Sequence, residues 1–310
     1  MSIRGKMFIT CYKDQVKDKG WNHLTVFKKI INMVVTIWRE RRKLFHIITG
    51  HYIYIRQVEL VLTTRCSLRC KECANLMQYY DKPYEIKKET IEAEINNLLK
   101  NIDELHTVVL VGGEPFLYRQ ISDIIHMLSK LEKIKGINIY TNGTIVPTEE
   151  MAESLQNKKV KVIISDYGEI SKRKTELTQY CSRNKIKFFL KNTDLIWGYV
   201  GNMNPRNRSK KQLIVQFRKC NNYCRSILNG RLYYCPRAAH GDDLGYVYTK
   251  ADEFVDLLKP NVDVEEILGI IYSNNYFSAC DYCNYGTKEM IPITPGVQLT
   301  QDEKKELFKK

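Results

Sequence analysis

A chain of 310 residues, 44% hydrophobic and 27% charged, has room for a catalytic core and one appended module and excludes a disordered, fibrous or disulfide-stapled protein. Lys and Arg outnumber Asp and Glu by 49 to 35, a formal net charge of +14. Without a signal-peptide pattern or a run of ~20 apolar residues, a cytoplasmic location is expected, where the ten cysteines read as metal or cluster ligands rather than disulfides.

Residues 1–56 form a basic segment. Leu24, Phe27, Ile30, Ile31, Val34, Val35 and Trp38 recur at helical spacing, followed by Arg39, Arg41, Arg42 and Lys43. Such an amphipathic helix either caps the main domain or makes a peripheral contact with an anionic membrane; no nucleic acid is expected as partner. Short apolar runs then alternate with amphipathic patterns. Strands are predicted over 58–62, 107–111, 137–140, 160–165 and 186–190, with a sixth over 213–217. Helices are predicted over 88–101, 121–132, 149–156 and 174–184. This βα alternation predicts an α/β fold around a parallel sheet, with chemistry on the loops after the strands. Beyond 217 the rhythm changes: Asn229-Gly230 predicts a hairpin between 225–228 and 231–234, and helical patterns cover 251–258 and 264–272.

The first strand runs into Cys66-Ser-Leu-Arg-Cys70-Lys-Glu-Cys73. Three thiolates in one short loop can hold three irons of a four-iron cube and leave the fourth open to a substrate or cofactor. The bland alternative is structural zinc completed by a distant fourth ligand. Gly112-Gly113-Glu114-Pro115 follows the second predicted strand, Thr141-Asn142-Gly143 the third, and Ser165-Asp166-Tyr167-Gly168 the fourth.

In these four motifs, across residues 58–191, the chain resembles the radical S-adenosylmethionine enzymes. The resemblance implies a partial (β/α)6 TIM-like barrel over 57–217 and a [4Fe–4S] cluster on Cys66, Cys70 and Cys73. S-Adenosylmethionine would be held by Gly112, Gly113, Glu114, Pro115, Thr141, Asn142 and Ser165. Glu72 would lie beside the adenine, where the family usually has an aromatic residue or histidine. The implied chemistry is one-electron cleavage of the cofactor, fed by flavodoxin or ferredoxin, to a 5'-deoxyadenosyl radical that abstracts hydrogen from carbon.

Cys220, Cys224, Cys235, Cys280 and Cys283 form a second set. Their spacing resembles the twitch form of the SPASM auxiliary-cluster module, which implies a second [4Fe–4S] cluster in a small domain of hairpin plus helices over 218–290, followed by a tail at 291–310. Five thiols compete for four places; Cys220 is favoured and Cys224 ambiguous. A zinc ribbon is the alternative. Cys11 and Cys181 have no partner at motif spacing. His240, closing Cys235-Pro-Arg-Ala-Ala-His240, is a candidate to face substrate.

The segment from Leu228 to Pro236 resembles radical proteins of bacterial surface-polysaccharide biosynthesis. That favours a carbohydrate-like small molecule (nucleotide-activated sugar, alditol or cyclitol) that is oxidised, epimerised or dehydrated, with Arg206, Arg208, Lys210 or Lys211 contacting phosphate. A maturase of ribosomal peptides is the alternative, and a zinc-stapled binding protein the remote one.

Overall fold

The computed structural model describes residues 49–50, 52–191, 197–220 and 224–308. The expected basic N-terminal helix, with the capping and membrane readings attached to it, and Cys11 lie outside the described residues. The chain alternates β1 (Tyr54–Thr63), α1 (Lys88–Lys100), β2 (Glu104–Gly112), α2 (Ile121–Lys130), β3 (Ile134–Thr141), α3 (Ala152–Leu155), β4 (Val160–Ser165), α4 (Lys174–Arg183) and β5 (Phe188–Lys191). The five strands are parallel neighbours in sequence order. Val58, Leu60, Leu62, Val108, Leu110, Ile137, Ile139, Val162 and Ile164 alternate along the strands and are all 0% exposed. They share one core with Ile91, Ile95 and Leu98 of α1, whose i, i+4, i+7 spacing makes a single apolar stripe. The expected helix at 149–156 is a 3-10 turn, Glu149–Met151, leading into α3.

Two expectations fail. β6 (Trp197–Gly198) follows β5 out of the main sheet, and the predicted sixth strand at 213–217 is instead part of α5 (Lys210–Lys219). Ser209 caps that helix reciprocally with Gln212, and Leu213, Gln216 and Phe217 bury one face. A short apolar run cannot by itself distinguish a strand from a buried helical stripe. The place beside β1 goes to β7 (Ser226–Leu228), which pairs parallel to it, Glu59 opposite Ser226. β8 (Arg231–Tyr233) returns antiparallel through Asn229 and Gly230, both at positive φ (50° and 85°), as the hairpin reading expects. After α6 (Pro236–Asp243) the predicted helix at 251–258 is also overturned: it contains β9 (Phe254–Asp256), paired antiparallel to β8. Phe254 packs on Tyr233 with ring centroids 5.8 Å apart, and Leu257 N donates to Gly230 O at 2.8 Å. The cross-strand partners override the local pattern. α7 (Val264–Ile271) lies where it was expected.

The result is a mixed α/β fold, one eight-stranded sheet in the order β5-β4-β3-β2-β1-β7-β8-β9 with a parallel core, consistent with a partial TIM-like barrel. The last stretch, expected to be a tail, is folded: β10 (Pro292–Ile293) pairs with β6, and α8 (Gln301–Leu307) follows. Among the described residues no helix is long and apolar enough to cross a membrane.

The hairpin is tied to α1 by Glu94, whose Oε2 accepts from Gly230 N at 2.7 Å while Oε1 is buried without a partner. Burial raises this carboxyl to about 8. The native state therefore keeps a proton that the unfolded chain releases near its ordinary value of 4.5, so this group's contribution to stability falls as pH rises from there to about 8. Glu94→Gln removes the titration and retains the acceptor. Its stability relative to the parent should rise across that window in urea unfolding measured at several pH values.

Candidate active site

Parallel pairing brings the C-terminal ends of β1 to β4 to one edge, with Thr63 opposite Gly112. The loop after β1 and the turn after β2 touch so closely that side chains are excluded. A Cβ on Gly112 would lie 2.2 Å from Thr63 O, and one on Gly113 would lie 2.2 Å from Arg65 O and 2.6 Å from Cys66 Cβ. Gly113 N and Glu114 N donate to Thr63 O and Arg65 O at 2.9 and 2.8 Å. The two glycines thus seat the cysteine loop on the sheet.

Within that loop Cys70 is buried and Cys66 and Cys73 are half-buried. Burial pushes the thiol of Cys70 up to about 11 and those of Cys66 and Cys73 upward too; the neighbouring thiols add to the rise for Cys66 and Cys70. Three thiols that resist ionising next to one another suit a cationic centre that would hold them as thiolates. Leu68 N donates to Cys66 Sγ at 3.4 Å. The C-terminal segment crosses the loop as a strap: Lys71 N donates to Val297 O, Leu299 N to Arg69 O, and Gln298 Nε2 to Cys70 Sγ at 3.2 Å. Lys71 pairs with Glu303 of α8 at 2.6 Å.

Glu114 is fully buried and joins two motif loops. Its Oε2 accepts from Asn142 N at 2.9 Å and its Oε1 from Phe116 N at 3.3 Å. Burial raises the carboxyl to about 7, opposed by these N–H groups and the Thr141 hydroxyl. Both carboxyl oxygens of Glu114 are thus engaged by backbone N–H groups of the two loops. Asn142 Nδ2 reaches Ser67 Oγ at 3.1 Å and Cys66 Sγ at 3.7 Å, linking the loop after β3 to the cysteines. Ser171 Oγ donates to Asn142 O and Ser165 O at 2.7 and 3.0 Å, bringing the β4 end into the same network. Glu72 is half-buried at the loop's far side, its carboxyl raised by burial and lowered by Arg237 and Lys71.

The second set assembles from separate segments around one cavity. Cys220 at the end of α5, Cys235 before α6, Cys280 on the 3-10 segment Ser278–Tyr282 and Cys283 directly after it line a cavity of ≈ 70 Å³, together with Ala74, the residue directly after Cys73. Burial raises the thiols of Cys235 and Cys280, and the neighbouring sulfurs add to it. Tyr285 N donates to Cys283 Sγ at 3.3 Å. Gln216 Nε2 holds the carbonyls of Cys280 and Cys283 at 3.0 and 2.8 Å. Cys224 does not line the cavity; its thiol bonds to the carboxyl of Glu59 and is raised by burial and that carboxyl. Among the described residues, no three His, Cys, Asp or Glu side chains are drawn together as around a single ion. A four-iron cube instead spreads its thiolates, one to each iron.

Arg206 and Arg208, expected to contact phosphate, are committed to this module. Arg206 donates to Asn284 Oδ1 and the Asn202 carbonyl, while Arg208 donates to Cys283 O at 3.0 Å and pairs with Glu289. His240 is fully buried, its Nδ1 2.9 Å from Tyr80 Oη, which donates to Asp243. His240 does not line the cavity of the second cysteine set.

Residues 60–165 match the Radical SAM superfamily. The matched segment runs from β1 to the end of β4 and carries Cys66, Cys70 and Cys73. GTP 3',8-cyclase of Clostridium acetobutylicum is 34% identical over 116 residues, 37% of this chain and 35% of that protein. GTP 3',8-cyclase of Aquifex aeolicus is 30% identical over 125 residues, 39% of this chain and 38% of that protein. The chain thus spans about a third of the length of these curated relatives. A crystal structure of Streptococcus suis SuiB bound to S-adenosylmethionine aligns at TM-score 0.34 and 17% identity, over 56% of this chain and 38% of that one.

A further row of side chains escaped the sequence reading. Register aligns Ser226, Glu59, Val109, Asn138 and Lys161 across five adjacent strands. The alternation of buried and less buried positions in β3, with Asn138 and Tyr140 between Ile137, Ile139 and Thr141, was the available signal.

Because Glu114 satisfies two N–H groups, Glu114→Ala should orphan both, at about 1–3 kcal/mol for each that stays buried. Chemical denaturation of the apoprotein measures this without any cofactor, and Glu114→Gln, which keeps one acceptor, should fall between.

Proposed function

We propose that this chain is a two-cluster radical S-adenosylmethionine enzyme that oxidises an alcohol carbon of a small, hydroxyl-rich, carbohydrate-like substrate. In this reading Cys66, Cys70 and Cys73 hold the first four-iron cluster, and Cys220, Cys235, Cys280 and Cys283 the second. Cys224 is the spare thiol, set against Glu59. S-Adenosylmethionine takes the edge formed by Gly112 to Pro115, Thr141, Asn142 and Ser165, with Glu72 at its side.

The observation that carries the proposal is the cavity lined by four thiols and by Ala74, the neighbour of Cys73. A second redox centre so close to the first gives the electron removed from substrate somewhere to go. When bound, the first cluster and S-adenosylmethionine supply one-electron cleavage and a radical that removes a hydrogen atom from carbon. The chain's own residues do the rest. The paired glycines seat the cysteine loop against the turn after β2, the Glu114 carboxylate keeps the loops after β2 and β3 in register, and the strap around Gln298 covers Cys70.

Oxidation of the alcohol balances as one hydrogen atom leaving the carbon, one electron passing to the second cluster and the hydroxyl proton passing to water. Asn138 and Lys161, on neighbouring strands, support a substrate with several hydroxyls, since an amide and an ammonium offer both donors and an acceptor, while Ser226 and Glu59 beside them are bonded to each other. The cyclases among the relatives carry GTP in their name, which makes a sugar borne on a nucleotide a natural first substrate to try. Flavodoxin or ferredoxin would supply the reducing electron.

Joint replacement of Cys66, Cys70 and Cys73 by alanine should abolish 5'-deoxyadenosine formation in anaerobic assays. Joint replacement of Cys280 and Cys283 should leave cofactor cleavage while stopping ketone product. Parent enzyme should form about one 5'-deoxyadenosine per ketone. Product at the oxidation state of the substrate would overturn the oxidation, and cleavage in the triple variant would overturn the first cluster's assignment.

A further inference from the structure

The cavity of the second cysteine set contains a buried cation without an assigned role. Arg237, two residues after Cys235 on α6, is 5% exposed and lines the cavity. Its Nε donates to Tyr282 O at 2.8 Å, and its Nη2 to Gly201 O at 2.6 Å and Asn202 O at 2.5 Å. All of these acceptors are neutral backbone carbonyls. Its Nη1 is buried with no hydrogen-bond partner. A buried guanidinium whose hydrogen bonds all go to neutral acceptors is unfavourable, and so is a buried donor without an acceptor. One anion at Nη1 resolves both.

The surroundings indicate which anion. Cys220, Cys235, Cys280 and Cys283 line the same cavity as Arg237. Ala74, the residue after Cys73, lines it too, so the cation shares its cavity with the end of the first cysteine loop. Its Nε also grips Tyr282, inside the Cys280-x-x-Cys283 loop, so the guanidinium is positioned by the same segment that supplies two of the thiols. An anionic cluster on four thiolates would bring both the charge and the acceptor sulfurs that Nη1 lacks.

We propose that Arg237 Nη1 donates a hydrogen bond to the second four-iron cluster, at a cysteine sulfur or a bridging sulfide, and raises its reduction potential so that it accepts the substrate's electron. This rests on the reading of Cys220, Cys235, Cys280 and Cys283 as cluster ligands. Arg237 acts through the cluster, as a positioning residue. A cation beside the cluster stabilises the reduced, more negative state over the oxidised one, so removing it lowers the potential.

The test is a potentiometric titration, followed by electron paramagnetic resonance, of full-length, anaerobically reconstituted parent, Arg237→Gln and Arg237→Lys. The second cluster's signal is the one lost in Cys280→Ser/Cys283→Ser. At a fixed potential Arg237→Gln should lower the ratio of reduced to oxidised second cluster tenfold or more, about 59 mV for a one-electron couple, leaving the first cluster's midpoint in place. Arg237→Lys, which keeps the charge without the fork, should fall between. Parent protein without a second cluster signal would overturn the ligand reading, and this inference with it. Two clusters with an unmoved potential in Arg237→Gln would overturn the inference alone, as would a change confined to substrate KM, which would make Arg237 an anchor for a substrate anion. If Arg237→Gln loses iron while Arg237→Lys retains both clusters, the charge requirement stands. Loss of iron from both would reduce Arg237 to a clamp on the Cys280–Cys283 loop.

Discussion

Parallel register between β1 and β2 is the constraint on which the candidate chemistry hangs. With Thr63 opposite Gly112, the loops after the two strands emerge side by side, and only residues without a Cβ at 112 and 113 allow Arg65 and Cys66 to lie against them. Continuing the same register through β3 and β4 brings Asn142 and Ser165 to that edge. Hydrogen bonds to Glu114 and Ser171 then convert three independent loops into one connected rim. A slip of one residue would turn the buried faces outward and scatter the rim together.

Burial of thiols is the second organising fact. Cys70, Cys235 and Cys280 sit where desolvation disfavours thiolate, and in each set the nearby sulfurs disfavour it further. Such an arrangement is costly for ionised cysteines alone and favourable around iron, whose positive charge reverses the local preference. Both sets also receive N–H donors at sulfur, from Leu68 and Gln298 in one and Tyr285 in the other, the kind of contact that tunes a cluster's potential. Ala74 belongs to one loop by sequence and to the other site by position, so a single short stretch of chain joins the two cysteine sets.

The strands that carry the motifs were legible because their signals are local: apolar runs bounded by Cys66, Gly112, Asn142 and Asp166. Asn229-Gly230 was legible for the same reason, since its backbone conformation is nearly dictated by those two residue types. The helix at Lys210–Lys219 was misread, although Ser209 and Gln212 are a capping pair that could have marked its start. β9 depends on partners in β8 and was invisible to local pattern. The strap that brings Gln298 to Cys70 joins residues 228 apart, and the clamps formed by Arg206 and Arg208 depend on Asn284, Cys283 and Glu289; none of these pairings is encoded near the residues themselves. The choice between Cys220 and Cys224 was likewise open in spacing, and the fold places one on the cavity and the other against Glu59.

The central claim is that two separate cysteine sets each hold a four-iron cluster. Iron and acid-labile sulfide counted on anaerobically reconstituted protein, in parent and in the Cys280→Ser/Cys283→Ser variant, test it most directly. The account predicts about eight of each in the parent and about four of each in the variant. Zinc without sulfide in the parent, or the same count in both proteins, would contradict it.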